Sequence, residues 1–174
     1  MIYLCIFLVI LVVMLFFSTK NDKASSQPDK LPYVAKNRLM SNAELSFYHV
    51  LASNLVENTS LCPKVRISDI VAIEKSIEKG ARMSFLGRIS QKHVDFVVID
   101  NNTSKIIAAI ELDDSSHGSE RVKKRDNFVN EVFKVANIPL LRFPAQRGYQ
   151  AQQIQLAFQP LGIGNKPHLI HSDT

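Results

Sequence analysis

Among 174 residues there is no tryptophan, and there are only two cysteines and six glycines. Cys5 lies inside an apolar run and Cys62 stands alone, so no disulfide framework and no Cys-x-x-Cys site exists; zinc held by thiolates is excluded in practice. The aromatics form no stacking platform for bases, and no helix spaces its side chains to read base edges. The surplus of charge of one sign is small too. The formal net charge is +5, and five cations against two acids in residues 1–40 put +3 there, leaving +2 for 41–174. So small a surplus does not make a nucleic-acid binder by itself; its distribution has to. Internal repeats are absent.

What the chain does have begins at its front. Residues 1–17, MIYLCIFLVILVVMLFF, contain no charge, proline or glycine. As a helix rising about 1.5 Å per residue they reach roughly 25 Å, just short of a ~30 Å hydrocarbon core. Ser18 and Thr19 extend the span and Lys20 can snorkel to the interface. A cleaved signal peptide would want a basic stretch before the run and an Ala-x-Ala-like site after it, and neither is evident. The run predicts a transmembrane anchor over 1–19 that inserts in a lipid bilayer. Lys20, Lys23, Lys30, Lys36 and Arg38 follow it, which marks that flank as cytoplasmic. Residues 20–40, polar and with two prolines, read as a flexible linker.

A folded domain is expected over 41–162, with 163–174 as a loose tail. SNAELSFYHVLASNLVE has a helical pattern with Leu45, Tyr48, Leu51, Ala52 and Leu55 on one face, and Ser41 with Glu44 fits the Ser-x-x-Glu capping box. A short strand is expected near Lys64–Ile67, then a helix over about Asp69–Lys79 stopped by Gly80, then a loop over 81–91. HVDFVVID and KIIAAIELD, separated by a polar turn, predict an antiparallel hairpin. Helical period returns over Ser119–Ala136, with Asn137 placed to end it in the left-handed conformation. IPLLRF reads as a buried strand and AQQIQLAFQ as a last helix. The order is that of a small α/β domain.

The chemistry gathers around IELDDSSH, residues 110–117. Strand alternation puts Asp95 on one face with His93, Val97 and Ile99, and puts Glu111 and Asp113 with Ile107 and Ala109. If residue 100 faces 106 across the hairpin, Asp95 lies opposite Glu111. Like charges with Cβ atoms about 5 Å apart repel, so something should compensate them, and a hard divalent cation on carboxylate oxygens is the simplest candidate. Glu44 falls in register with Tyr48, Leu51 and Leu55, on the apolar side of its helix. Arg125 likewise falls in the apolar sector near Val122, Val129 and Val132, where it would neutralise the acids or steady charge on a phosphate. Plain structural readings stand beside these. Glu44 is accounted for by capping, Asp114 to Ser116 by a turn after the strand, His117 by a loop, and Lys123 and Lys124 by a solvated helix face.

At this point the residues meet a resemblance. Glu44 on a helix, Asp95 in VDFVVID, a hairpin to Glu111-x-Asp113 and a basic helix look like the PD-(D/E)XK restriction-endonuclease-like fold. HVDFVVID, IELDDSSH, RD and LLRF together resemble the bacterial family called domain of unknown function 2726 and, more distantly, the very-short-patch-repair endonucleases, over about residues 39–160. The resemblance implies an αβββαβ core with a central mixed sheet flanked by helices. It implies Mg²⁺ or Mn²⁺ on Asp95 and Glu111, with Asp113 as a third ligand and Glu44 as an outer metal or water contact. His117 would take the proton-handling part that a lysine fills elsewhere. One departure stands out: the lysine expected two residues after the second acid is replaced by Asp113.

The expectation is therefore a membrane-anchored, metal-dependent endonuclease hydrolysing phosphodiester bonds in nucleic acid, DNA before RNA. Asp95, Glu111 and Asp113 would hold metal, with His117 and Arg125 assisting. The alternative is a catalytically inactive nuclease-fold module that binds nucleic acid or a protein at the membrane. By family analogy the membrane is a bacterial inner membrane with the domain in the cytoplasm. The sequence carries no signal for an oligomeric state.

Overall fold

The computed structural model of the chain describes residues 3, 6, 7, 10–14, 31–113 and 120–164. It divides into two compact units, Met1–Asn37 and Arg38–Thr174. In the first unit the described residues from Tyr3 to Met14 are helical, and residues 31–37 carry no regular structure apart from a bend. No helix among the described residues is long and apolar enough to cross a membrane. Most of the predicted 1–19 anchor lies outside the described residues.

The second unit runs α1 (Asn42–Ser53), β1 (Thr59–Arg66), α2 (Ile67–Ile70), α3 (Lys79–Ile89), β2 (His93–Asp100), β3 (Ile106–Asp113), α4 (Glu120–Val135), β4 (Leu140–Pro144), α5 (Ala151–Phe158) and a 3-10 turn (Gln159–Leu161). The four strands form one mixed sheet in the order β1-β2-β3-β4. The first two pairings are antiparallel and β3-β4 is parallel, with α4 as the crossover a parallel pair needs. Helices cover both faces. Phe47 and Leu51 of α1 and Ile154 and Phe158 of α5 pack with Phe96, Val98, Ala108 and Ile110 on one face. Ile89 of α3 and Val129 and Phe133 of α4 pack with Val97 and Ala109 on the other. The Phe47 ring anchors the first layer, 4.4 Å from the Tyr149 centroid and 5.2 Å from that of Phe143.

Several local expectations need correction. α1 buries Phe47 and Leu51, while Leu45 and Ala52 face solvent: the large ring at 47 turns the helix so that the 47/51 stripe meets the sheet. The helix expected over 69–79 is one turn at Ile67–Ile70, and the real helix starts at Lys79. Gly80 does not end a helix but sits in the first turn of one, because the Glu78 carboxylate accepts from the Gly80 and Ala81 N–H groups as an N-cap. β1 begins at Thr59, well before the expected Lys64, and Pro63 is tolerated because β1 is an edge strand. At the far end Ile163 is buried and Gly164 bridges Leu55, so the core extends past Gly162. Asn137 closes α4 at φ +54, as expected.

The hairpin register pairs Phe96 with Ile110 and Val97 with Ala109, so its continuation sets Asp95 opposite Glu111. A bulge after Val98 shifts the turn end, where Ile99 rather than Asp100 pairs with Ile106. Ile107 consequently packs with the α1 face and not on the side of Ala109. A second irregularity matters more. Val94 and Val97 lie in one layer with Val65, whereas Phe96 and Leu61 lie in the other. Alternation therefore reverses around Lys64 on β1 and Asp95 on β2, and Lys64 adopts φ +57, the left-handed region that a non-glycine residue enters at a cost.

Candidate acidic site

The site stands where β2 and β3 part. Phe96–Ile110 is the last pair of their ladder, while β3 continues alongside β4 to the pair Asp113–Pro144. The Leu112 N–H would be left without a strand partner there. Asp95 supplies it: its Oδ2 accepts from Leu112 N at 2.9 Å, so the carboxylate is fixed by the fold before any ligand arrives. Its other oxygen, Oδ1, accepts from Lys64 Nζ at 3.0 Å.

Lys64 is one residue that sequence reading misses. Its ammonium lies between Asp95 and Glu44, donating to both, and all three side chains are largely shielded from water. The reversed alternation is what points a strand residue of β1 toward α1. Nothing in KVRIS announces this, since a lysine on an edge strand is ordinary. Glu44 performs two tasks at once. Its Oε2 accepts from Ser41 N at 2.7 Å, completing the capping box, while Oε1 takes Lys64. Burial alone would raise the Glu44 pKa, but the hydrogen bonds from Lys64 and Ser41 outweigh it and leave the carboxyl below its usual value. For Lys64, burial works against the charge and the two carboxylates more than restore it, so its pKa is raised.

Glu111 is the unusual member. It continues the Ala109 side of β3, beside its parallel partner Arg142 on β4. Its pKa is pushed up to about 8, first by burial, then by the charge and hydrogen bond of Asp95, with Asp113 adding and Arg142 opposing. Near neutral pH this carboxyl therefore carries a proton. Asp113 takes a different course. It is ion-paired with Arg142, whose Nε donates to Asn130 Oδ1 of α4 at 3.1 Å. Glu111, Asp113 and Arg142 thus belong to the α4 side of the sheet, Glu44 and Lys64 to the α1 side, and Asp95 joins the two groups.

Other expected members lie elsewhere. Arg125 does not point into the apolar sector of its helix. α4 buries Val129 and Phe133, and the long Arg125 stem carries the guanidinium out to water, where it pairs with Asp126 at 3.1 Å. His117 lies outside the described residues. Among the described residues, no group of three or more His, Cys, Asp or Glu side chains is placed to hold a metal. Four carboxylates and two cations nevertheless share the site, leaving two negative charges in excess when Glu111 is ionised.

Fold and site together define a small α/β domain whose mixed sheet carries a half-buried acidic cluster at one end. The chain belongs to the family described as Protein of unknown function (DUF2726), whose sequence profile matches residues 36–161 and so takes in Glu44, Lys64, Asp95, Glu111, Asp113 and Arg142. No curated protein and no solved structure matches the chain.

Proposed function

We propose that this domain is a metal-dependent phosphodiesterase acting on nucleic acid, DNA in preference, on a PD-(D/E)XK nuclease-like framework. The observation that carries the reading is the Asp95–Glu111 pair: two carboxylates held side by side on adjacent strands, with the Glu111 pKa pushed up to about 8 by burial and by Asp95. Proteins tolerate such pairs where function uses them.

The donors suit Mg²⁺ or Mn²⁺. Asp95 and Glu111 offer hard oxygens, and Mg²⁺ is commonly held by one or two carboxylates, its shell completed by water and substrate phosphate. Such an ion would polarise the scissile phosphate and lower the pKa of a bound water. The chain's own residues do the rest. Lys64 and the Leu112 N–H hold Asp95 in one orientation. Glu111 would hold the cation as its carboxylate, its proton passing to solvent. Asp113, held by Arg142, supports the site from one side, and Arg142 would face charge building on the phosphate. Lys64 supplies the cation that the Asp113 position lacks. Residues 1–19 would hold the domain at a membrane, the basic flank supporting its cytoplasmic face and the family resemblance a bacterial inner membrane.

Hydrolysis of labelled DNA by the full chain with Mn²⁺ tests this, wild type against Asp95→Asn and Glu111→Gln. Turnover lost in both variants, with folding intact, supports the assignment. Turnover equal to wild type in both ends it. The ion pair at Asp113 favours a second reading, an inactive module that binds without turnover. DNA binding with no metal-dependent cleavage in the wild type would select it.

A further inference from the structure

Beside the acidic cluster the structure holds a second charged feature. Arg88, at the end of α3, places its guanidinium carbon 4.1 Å from the centroid of the Phe128 ring on α4. Lys92, just before β2, brings its ammonium to 5.5 Å from the same ring. Two cations on one phenyl ring repel each other, and the ring offsets only part of that. They are not there by looseness. Lys92 Nζ donates to the Arg88 carbonyl at 2.6 Å, at the C-terminal end of α3 where the helix dipole favours a positive charge. Lys124, exposed one helical turn before Phe128, extends the same side of α4.

The cations nearest to these three in the chain are mostly paired. Arg66 is paired with Asp69, Lys123 with Glu120 and Arg125 with Asp126. Among the described residues Arg88, Lys92 and Lys124 have no carboxylate. The position is equally specific. Lys92 is three residues before Asp95, about 10 Å along extended chain, at the end of β2 where the acids stand. A pre-set group of unpaired cations beside a cluster of acids is what a polyanion needs if it is to be held while one of its phosphates meets those acids.

We propose that Arg88, Lys92 and Lys124, organised around Phe128, bind the phosphate backbone of a nucleic-acid strand and lead it to Asp95 and Glu111. The flat guanidinium takes phosphate oxygens as a fork, and the two ammonium groups act as point charges on the neighbouring phosphates. Interactions of this kind position a strand and read no sequence, in keeping with the lack of base-reading residues. The inference takes its ligand from the reading above, but its test does not depend on hydrolysis.

Binding of a fluorescein-labelled DNA duplex to the full chain would be followed by anisotropy in EDTA over a series of salt concentrations. Three proteins are compared: wild type, the triple variant Arg88→Glu, Lys92→Glu and Lys124→Glu, and a control with the same charge change at Lys79→Glu, Lys105→Glu and Lys134→Glu. The first triple should weaken binding about tenfold or more and flatten the log–log salt slope by about 0.9 for each phosphate that is no longer neutralised. The control should shift affinity much less. A milder set, Arg88→Gln with Lys124→Gln, gives the same readout should the charge reversals fail to fold. An equally large effect in the control would make it one of net charge and overturn the proposal, as would unchanged binding in the first triple. Retention on phosphatidylserine vesicles that depends on these residues, with no duplex binding, would assign the surface to lipid and also overturn it. DNA binding abolished here with turnover absent in the wild type keeps this surface and removes the enzyme. Asp95-dependent turnover with binding unchanged does the reverse.

Discussion

Glu111 is the residue from which most of the site's behaviour follows. Its pKa is pushed up to about 8 by burial and by Asp95, whereas a divalent cation needs the carboxylate. If the proposed cation binds here, it would release close to one proton below that pH. We expect Mn²⁺ affinity to rise about tenfold per pH unit between roughly 6 and 8 and to level off above. Glu111→Gln should abolish that slope. Calorimetry in two buffers of different ionisation heat measures the proton directly. Lys64 gives a second expectation. Removing it as Lys64→Met leaves Glu44 and Asp95 half-buried without their shared cation, at a cost of about 1–3 kcal/mol in urea unfolding. Adding Asp95→Asn to Lys64→Met should recover part of the loss, because one of the two stranded charges is gone; a fully additive double mutant would show that the ion pair carries no energy.

At the scale of elements, the turns and caps set where the charged side chains arrive. Asn137 is the hinge between α4 and β4, at φ +54, and it fixes the register that brings Arg142 beside Glu111. Asn137→Ala should cost about 1 kcal/mol or more, while Asn137→Gly should be neutral or stabilising, and thermal unfolding distinguishes them. This hinge was readable in advance, as were the hairpin, both later helices and the facing of Asp95 and Glu111, since each rests on a short-range signal: alternation, a polar turn, a capping residue. Lys64 and Arg142 were not readable as members of the site. Their roles depend on a reversed strand alternation and on an ion pair with a residue 29 positions away, and neither leaves a mark on nearby residues. Arg125 failed for the opposite reason. A helical wheel assigns a sector but not the reach of a long side chain, and the cost of burying a guanidinium sends it to solvent and Asp126. α3 was misplaced because a glycine reads as a stop when its neighbour Glu78 in fact makes it part of a start.

For the molecule as a whole, the site should impose its own pH profile on stability. Glu111 binds a proton more tightly folded than unfolded, so between about 4.5 and 8 the folded state holds more protons and this group's contribution falls as pH rises. Glu44 acts in the opposite sense and lower down. Its pKa is lowered on folding, so its contribution is present above about 4.5 and lost as the solution becomes more acid. Without metal, the melting temperature should therefore pass a maximum on the acid side of neutrality and decline toward pH 8. Glu111→Gln should flatten that decline, and millimolar Mn²⁺ should raise the melting temperature most at the alkaline end. A wild-type profile flat from pH 5 to 8 would show that Glu111 titrates as an ordinary glutamate.

The parallel strand β4 has a bearing on how the chain is made. It leaves the ribosome after β1, β2 and β3 and delivers the cation that Asp113 needs. Until it docks, the nascent meander shows an acid-lined hairpin with an open outer edge, self-repelling at one end and apolar along the rest. The order of synthesis thus supplies the acids of the site before one of the two cations that offset them.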